Sequence, residues 1–175
     1  ASGDPIGAKR AAVRKLGHEL GIPRGELDAA RFKFLTRVHY WAADVGTHGP
    51  EAPWGEHEID YLLLYRLRPD EQLTVQPNPE EVQAVKWLGR EELRAAMSVG
   101  SSPLALEMPL WSPWFRVIAE RFLEQWWRDL DAALATDKYV DVVAIHRFDT
   151  RPEFHGGAGG VGPHLDGVAR AKLRR

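Results

Sequence analysis

Three carboxylate side chains occupy alternate positions in residues 54–65, which read WGEHEIDYLLLY. If this segment is a β-strand, Glu56, Glu58 and Asp60 share one face and His57 lies on the other. Same-face neighbours in a strand are roughly 6.5–7 Å apart, so two carboxylates can converge on one hard cation, or one can bind metal while the other moves a proton. Crowding also raises the pKa of one carboxylate, which suits a general acid. A polar strand end that surfaces before an apolar core would give the same pattern.

Several other elements must position this strand. Residues 7–20 have an apolar stripe followed by Gly21, a typical helix stop, and Lys15 and Glu19 on this helix have the spacing of an ion pair. Together the patterns favour an α/β (α+β) fold. They predict helices over 7–20, 90–97 and 114–134, strands over 32–42, 57–67 and 83–89, a loop over 44–55 and an irregular connection over 98–113.

Length and composition limit the function classes. The chain has 175 residues, 44% of them hydrophobic, with a formal net charge of −2 and no cysteine. The length suits one domain with a sizeable core, and the charge gives no reason to expect nucleic-acid binding. We expect no membrane span and no signal peptide, hence a protein that is not secreted, with cytoplasm or an organelle left open. The absence of cysteine excludes a thiolate nucleophile within these residues.

The character of the chain changes near residue 149. A glycine-rich stretch, GGAGGVG, is followed by a basic end, RAKLRR. We therefore predict one domain over 1–148 and a glycine-rich, basic C-terminal tail over 149–175, which we expect to be disordered.

Four segments together resemble the type I isopentenyl-diphosphate isomerase family of the Nudix superfamily. They are AAVRKLGHELGIP, LTRVHYWA, WGEHEIDYLLLYR and WSPWFRVIAERFLEQWW, in that order. The resemblance extends over about residues 7–148. It implies a Nudix-type α/β/α sandwich with a mixed sheet. It also implies interconversion of isopentenyl and dimethylallyl diphosphate, in isoprenoid biosynthesis, by protonation and deprotonation of a carbon–carbon double bond.

The resemblance implies roles for individual residues. Glu58 matches the glutamate that contacts a metal and transfers a proton, and Tyr40 matches the tyrosine that hydrogen-bonds this glutamate. Trp114 matches the tryptophan whose ring face stabilises a carbocation. Glu56 matches a second metal ligand, and Glu19 matches the carboxylate that helps to hold magnesium on the diphosphate.

The remaining implied features concern substrate and metals. Arg14 and Lys15 match a basic pair for substrate binding, the second of which faces the diphosphate in the family. The complete enzyme of the family uses Mg²⁺ bound to the diphosphate and a second divalent metal, Zn²⁺ or Mn²⁺.

One part of the family's site has no counterpart in this sequence. The resemblance implies a catalytic cysteine, histidine metal ligands and further basic residues in a segment before the first helix. We therefore expect a fragment that is inactive alone, with a weakly occupied or empty metal position and a face available to a protein partner. Two alternatives are a non-catalytic isomerase-like subunit of a larger assembly and a Nudix pyrophosphohydrolase. The second would need a helix of the form R-E-x-x-E-E, whereas RKLGHE contains Glu19 alone.

Overall fold

The computed structural model describes residues 3–43, 55–82, 84–99, 113–149 and 167–170. Two short 3₁₀ helices, Arg24–Glu26 and Ala29–Arg31, follow the first α-helix. In chain order the elements are α1 (Ile6–Glu19), β1 (Lys33–Ala43), β2 (Gly55–Leu64), α2 (Arg90–Val99), α3 (Pro113–Ile118), a π-helical turn (Ala119–Leu123), α4 (Glu124–Arg128), α5 (Leu130–Ala135), β3 (Ala144–Asp149) and β4 (Gly167–Arg170).

The four strands form one sheet in the order β2-β1-β3-β4. β1 is parallel to β3, with Val38 opposite His146, and β3 is antiparallel to β4. Contacts between β1 and β2 run in opposite chain directions, since Tyr40 meets Glu56 while His39 meets His57. β1 and β2 are therefore antiparallel, and the predicted mixed sheet is confirmed.

The C-terminal end of α1 is held by backbone hydrogen bonds from residues 76 and 78. The carbonyl of Leu20 accepts a hydrogen bond from Gln76 N at 2.8 Å, and that of Glu19 accepts one from Asn78 N at 2.8 Å. Gly21 follows in the left-handed conformation, with φ +64°, and a Cβ placed there would lie 2.1 Å from the Gln76 carbonyl oxygen. Gly21 is thus the predicted helix stop, and only glycine allows this close approach.

Contacts divide the chain into two compact units, which are described separately. The first contains residues 1–36, 61–87 and 140–142, and its core includes Leu35, which is fully buried. The second contains residues 37–60, 88–139 and 143–175, and its core includes Val38 and Trp126. α1 belongs to the first unit, and the carboxylates of residues 56–60 belong to the second.

Three predictions about the elements were wrong. Residues 84–89 form no strand, because their apolar side chains are not buried: Trp87 is 73% exposed. The predicted helix 114–134 is not continuous, because a π-helical turn interrupts it and Asp129 leaves helical geometry with φ −117° and ψ 42°. Part of the tail is ordered, since β4 pairs with β3.

Other sequence predictions have different outcomes. The helix and strand predictions for α1, β1, β2 and α2 are confirmed, with ends that differ by at most three residues. Residues 44–54 of the predicted loop (44–55), residues 100–112 of the predicted irregular connection (98–113) and most of the tail lie outside the described residues. Residues 98, 99 and 113 are helical and residue 55 begins β2, so those ends of the two predictions were wrong. The domain boundary near residue 148 stays a prediction. Among the described segments, no helix is both long enough and apolar enough to cross a bilayer.

Candidate functional site

The carboxylates of β2 face a buried tyrosine on β1. Tyr40 is 2% exposed, and its hydroxyl donates a hydrogen bond to Oε2 of Glu56. Because side chains alternate along β2, Glu58 and Asp60 lie on the same face as Glu56. The structure therefore brings together three predicted site residues, Tyr40, Glu56 and Glu58, and adds Asp60, to which the sequence analysis gave no role. We call these four residues the carboxylate cluster.

Electrostatic crowding in the carboxylate cluster falls mainly on Asp60. Its pKa is raised to about 6, first by burial, then by the charges of Glu58 and Glu56 and by a hydrogen bond with Glu58. Burial also raises the pKa of Tyr40 well above its ordinary value, and the hydrogen bond to Glu56 adds to the effect. Tyr40 therefore stays protonated and remains a hydrogen-bond donor. Asp60 is thus a carboxyl group whose pKa is raised, as the crowding predicted.

A pair of histidines occupies the other side of the same strands. Nε2 of His39 lies 2.6 Å from Nε2 of His57, and the rings stack with centroids 4.8 Å apart. Burial, followed by the charges of His57 and Arg147, lowers the pKa of His39. Since His57 alternates with Glu56 and Glu58 along β2, this pair does not complete their ligand set. Within the described residues, no three His, Asp or Glu side chains are arranged to hold a metal ion.

The predicted ion pair on α1 is present. Nζ of Lys15 lies 2.6 Å from Oε1 of Glu19, and this hydrogen bond raises the pKa of Lys15. The interaction holds both side chains on the same face of the helix. Arg14, the other member of the predicted basic pair, instead lines a groove with Arg10 and Arg24.

Trp114 occupies the predicted position in the first turn of a helix. Pro113 begins α3, and the Trp114 ring makes an edge-to-face contact with Phe115 at 6.0 Å. The Trp114 side chain is 39% exposed. An exposed indole face can stabilise a cation by a cation–π interaction.

Comparisons with known proteins agree with the sequence pattern. Residues 7–108, more than half of the chain, match the NUDIX domain family. The isopentenyl-diphosphate delta-isomerase of Schizosaccharomyces pombe is 40% identical over 141 residues, which cover 81% of this chain and 52% of that protein. Isopentenyl-diphosphate Delta-isomerase 1 of Mesocricetus auratus is 38% identical over 144 residues (82% and 56%), and that of Mus musculus is 39% identical over 142 residues (81% and 55%). The chain spans about half the length of these relatives.

Proposed function

The chain belongs to the NUDIX domain family. From this premise we propose that it contributes the catalytic glutamate to the active site of an isopentenyl-diphosphate delta-isomerase. The observation that carries the proposal is the carboxylate cluster, in which Tyr40 and Glu56 are joined by a hydrogen bond. Relatives named for this activity match most of the chain, and about 40% of the aligned residues are identical.

The reaction needs a proton donor and a proton acceptor. Moving the double bond from isopentenyl to dimethylallyl diphosphate adds a proton to the terminal alkene carbon and removes one from the neighbouring CH₂ group. We assign the proton transfer on this side to Glu58. Asp60, whose pKa is raised, shares a hydrogen bond with Glu58. A protonated Asp60 would donate this hydrogen bond and hold the Glu58 side chain in place.

Tyr40 has a positioning role in this proposal. The resemblance implied a hydrogen bond from Tyr40 to Glu58, whereas the structure has Tyr40 bound to Glu56. The reason is geometric: Tyr40 on β1 lies opposite Glu56 on β2, and Glu58 is displaced by two residues along the strand. Tyr40 therefore fixes the carboxylate next to Glu58 and leaves Glu58 available to substrate.

The donor set of the cluster fits magnesium or manganese better than zinc. Carboxylate oxygens are hard ligands, and Mg²⁺ is commonly held by one or two carboxylates with waters and substrate phosphates in the other positions. Glu56 and Glu58 would hold such an ion, which would polarise its ligands and neutralise negative charge. A closed zinc site needs four ligands, and the described residues do not group three suitable side chains.

The remaining predicted residues receive complementary roles. Lys15 is the proposed ligand of the diphosphate, with its ammonium oriented by Glu19, which would also hold magnesium on that group. The exposed ring of Trp114 is the proposed surface for the tertiary carbocation that forms on protonation. These roles remain proposals for Lys15, Glu19 and Trp114.

A chimera tests these residues separately from the rest of the enzyme. In the S. pombe isomerase, the 141 matching residues are replaced by those of this chain. Conversion is measured as the incorporation of solvent deuterium into dimethylallyl diphosphate. We expect the folded chimera to be active and Glu58→Gln to reduce turnover by about 10² or more, the usual contribution of general acid–base catalysis. Glu91→Gln, which changes an exposed carboxylate on α2, is the matched control.

Two results would contradict the proposal. A chimera that folds but shows no turnover, while the S. pombe enzyme is active under the same conditions, would favour the non-catalytic subunit. Full activity in the Glu58→Gln chimera would show that the carboxylate cluster is not the proton-transfer site.

A further inference from the structure

Two histidines face each other on the side of β1 and β2 that is opposite to the carboxylate cluster. Nε2 of His39 lies 2.6 Å from Nε2 of His57, although the two residues are 18 positions apart in the sequence. His57 is exposed and His39 is partly exposed, so solvent reaches the pair. Both residues lie in the second compact unit. The pairing of the two strands therefore places two imidazole nitrogens within reach of one small ligand.

Each of these nitrogens is a potential metal ligand. A neutral imidazole has one N–H group and one nitrogen with a free lone pair, and this nitrogen suits copper, nickel and zinc. Burial, followed by the charges of His57 and Arg147, lowers the pKa of His39, which favours the neutral ring that metal binding needs. Among the described residues no third His, Asp or Glu side chain joins the pair. The pair therefore offers two protein ligands and leaves the other positions of an ion to water.

We propose that His39 and His57 bind a divalent transition-metal cation of tetragonal geometry, Cu²⁺ or Ni²⁺. Two ligands at a right angle around such an ion, with metal–nitrogen bonds of about 2.0–2.1 Å, are roughly 2.9 Å apart, whereas tetrahedral ligands are roughly 3.3 Å apart. The observed separation of 2.6 Å is closer to the first value. Because His57 is exposed, its ring can turn and direct its lone pair at an ion beside the pair. Tetrahedral zinc fits this separation less well.

The two-histidine site is separate from the proposed isomerase chemistry. Its ligands are nitrogens on one face of the strands, whereas the carboxylate oxygens on the other face suit Mg²⁺ or Mn²⁺. The inference therefore goes beyond the proposed function and does not depend on it. A cation held by both histidines would join β1 to β2 and stabilise the folded second unit, because only strand pairing brings the two ligands together.

Arg147 is a charged neighbour of this pair. It lies opposite His39 in the register of β1 and β3, so the two side chains are on the same face of the sheet. A guanidinium charge beside the site opposes a bound cation and favours a bound anion. Replacement of Arg147 therefore distinguishes these two kinds of ligand.

Calorimetric titration of the untagged 175-residue chain with NiCl₂ tests the site, with excess Mg²⁺ present to occupy sites made of carboxylates. We expect His39→Gln and His57→Gln each to weaken binding by at least about tenfold, because each removes one of the two protein ligands. His18→Gln removes an exposed imidazole from α1 and is the matched control, with an expected change below about twofold. Ni²⁺ should also raise the melting temperature of the unaltered chain and of His18→Gln, but not that of the other two variants. Melts without metal establish that each variant is folded.

Two further measurements identify the ligand atoms and the bound species. Electron paramagnetic resonance with Cu²⁺ should show two ligand nitrogens in the unaltered chain and one in His39→Gln or His57→Gln. Arg147→Gln should bind Ni²⁺ about twofold or more tightly, because a like charge is removed. Weaker binding by Arg147→Gln would mean that the site holds an anion, and would overturn the assignment to a cation.

Three other results would overturn the proposal. Unchanged Ni²⁺ affinity in both His39→Gln and His57→Gln would show that the pair does not bind the ion. Equal weakening by Glu58→Gln and His57→Gln would place the ion at the carboxylate cluster. Tighter binding of Zn²⁺ than of Ni²⁺ would contradict the tetragonal geometry.

Discussion

The Tyr40 hydroxyl donates its hydrogen bond to Glu56, the carboxylate directly across the β1–β2 pair. Tyr40 is almost fully buried, so this hydrogen bond connects the exposed end of β2 to the core of the second unit. This hydrogen bond orients the Glu56 carboxylate, which lies two residues before Glu58 on the same strand. The positioning role proposed for Tyr40 rests on this contact.

Tyr40→Phe should lower activity more than stability. Removing the hydroxyl leaves the Glu56 carboxylate without its donor, and we expect the free energy of unfolding to fall by about 1 kcal/mol. In the chimera, we expect turnover to fall by about tenfold or more, since the carboxylates lose their fixed orientation. Urea denaturation and the deuterium assay provide the two measurements.

Tyr139→Phe is the control for that experiment. Tyr139 also donates to a carboxylate, Asp129, at 2.9 Å. Its loss should cost similar stability with unchanged turnover. If both variants reduce turnover to the same extent, the effect of Tyr40→Phe is structural and the positioning role is lost.

The Arg31–Glu71 ion pair should make stability depend on acid pH. Nη1 and Nη2 of Arg31 donate to the two oxygens of Glu71, each at 2.8 Å, and Arg68 N donates to the same carboxylate. The hydrogen bonds from Arg31, followed by that from Arg68, lower the Glu71 pKa from 4.5 to about 2. Because the folded-state pKa is the lower one, this stabilisation is present above about pH 4.5 and is lost as the pH falls toward about 2.

Glu71→Gln should therefore lower the free energy of unfolding near neutral pH. The difference in this free energy between the variant and the unaltered chain should shrink as the pH falls below about 4.5. Urea denaturation over a pH series measures this difference. Glu91→Gln affects an exposed i,i+3 pair with Arg94 and should show little difference at any pH. A constant Glu71→Gln deficit down to the acid limit would be incompatible with the ion pair as its source.

Gly21→Ala should destabilise the first unit. The left-handed conformation costs a non-glycine residue about 1–2 kcal/mol, and the close Gln76 carbonyl adds a clash. Gly25→Ala is the matched control, because a Cβ at Gly25 meets nothing within 4 Å. We expect the control to lie within about 0.5 kcal/mol of the unaltered chain. Equal melting temperatures for the two variants would show that the end of α1 rearranges freely.

Trp126→Ala should be among the most destabilising single changes in the second unit. Trp126 is 4% exposed and stacks on Phe122 at 5.2 Å. Replacing a buried tryptophan by alanine costs about 3–5 kcal/mol. Trp87→Ala, at a side chain 73% exposed, should change stability by less than about 0.5 kcal/mol. A small effect of Trp126→Ala in chemical denaturation would mean that the core does not depend on this stack.

The sequence predicted the carboxylate face correctly because alternation along a strand depends only on local geometry. Glu56, Glu58 and Asp60 needed no knowledge of their neighbours to be placed together. The partner of Tyr40 could not be predicted in the same way. It depends on the register between β1 and β2, which is set by the pairing of two separate strands.

The failed strand prediction has a related cause. Residues 84–89 contain Val85 and Trp87, which favour strands, but their side chains are exposed and the segment has no sheet position. Strand propensity describes the fit to a half-buried sheet, so it fails for a segment whose side chains are not packed on a sheet. β3 was not predicted at all, because its local sequence does not determine its position in the sheet. Its place between β1 and β4 comes from tertiary pairing, and our domain boundary fell inside it.

The π-helical turn at Ala119–Leu123 also affects how this protein should be aligned with others. Hydrogen bonds in such a turn run from residue i to i+5, so it contains one residue more than the α-helical turn that it replaces. A homologue with an unbroken α-helix here would have one residue fewer between Trp114 and Trp126. An alignment that forbids gaps within helices would then pair one of these two tryptophans with the wrong residue. The gap belongs inside the helix, at the turn itself.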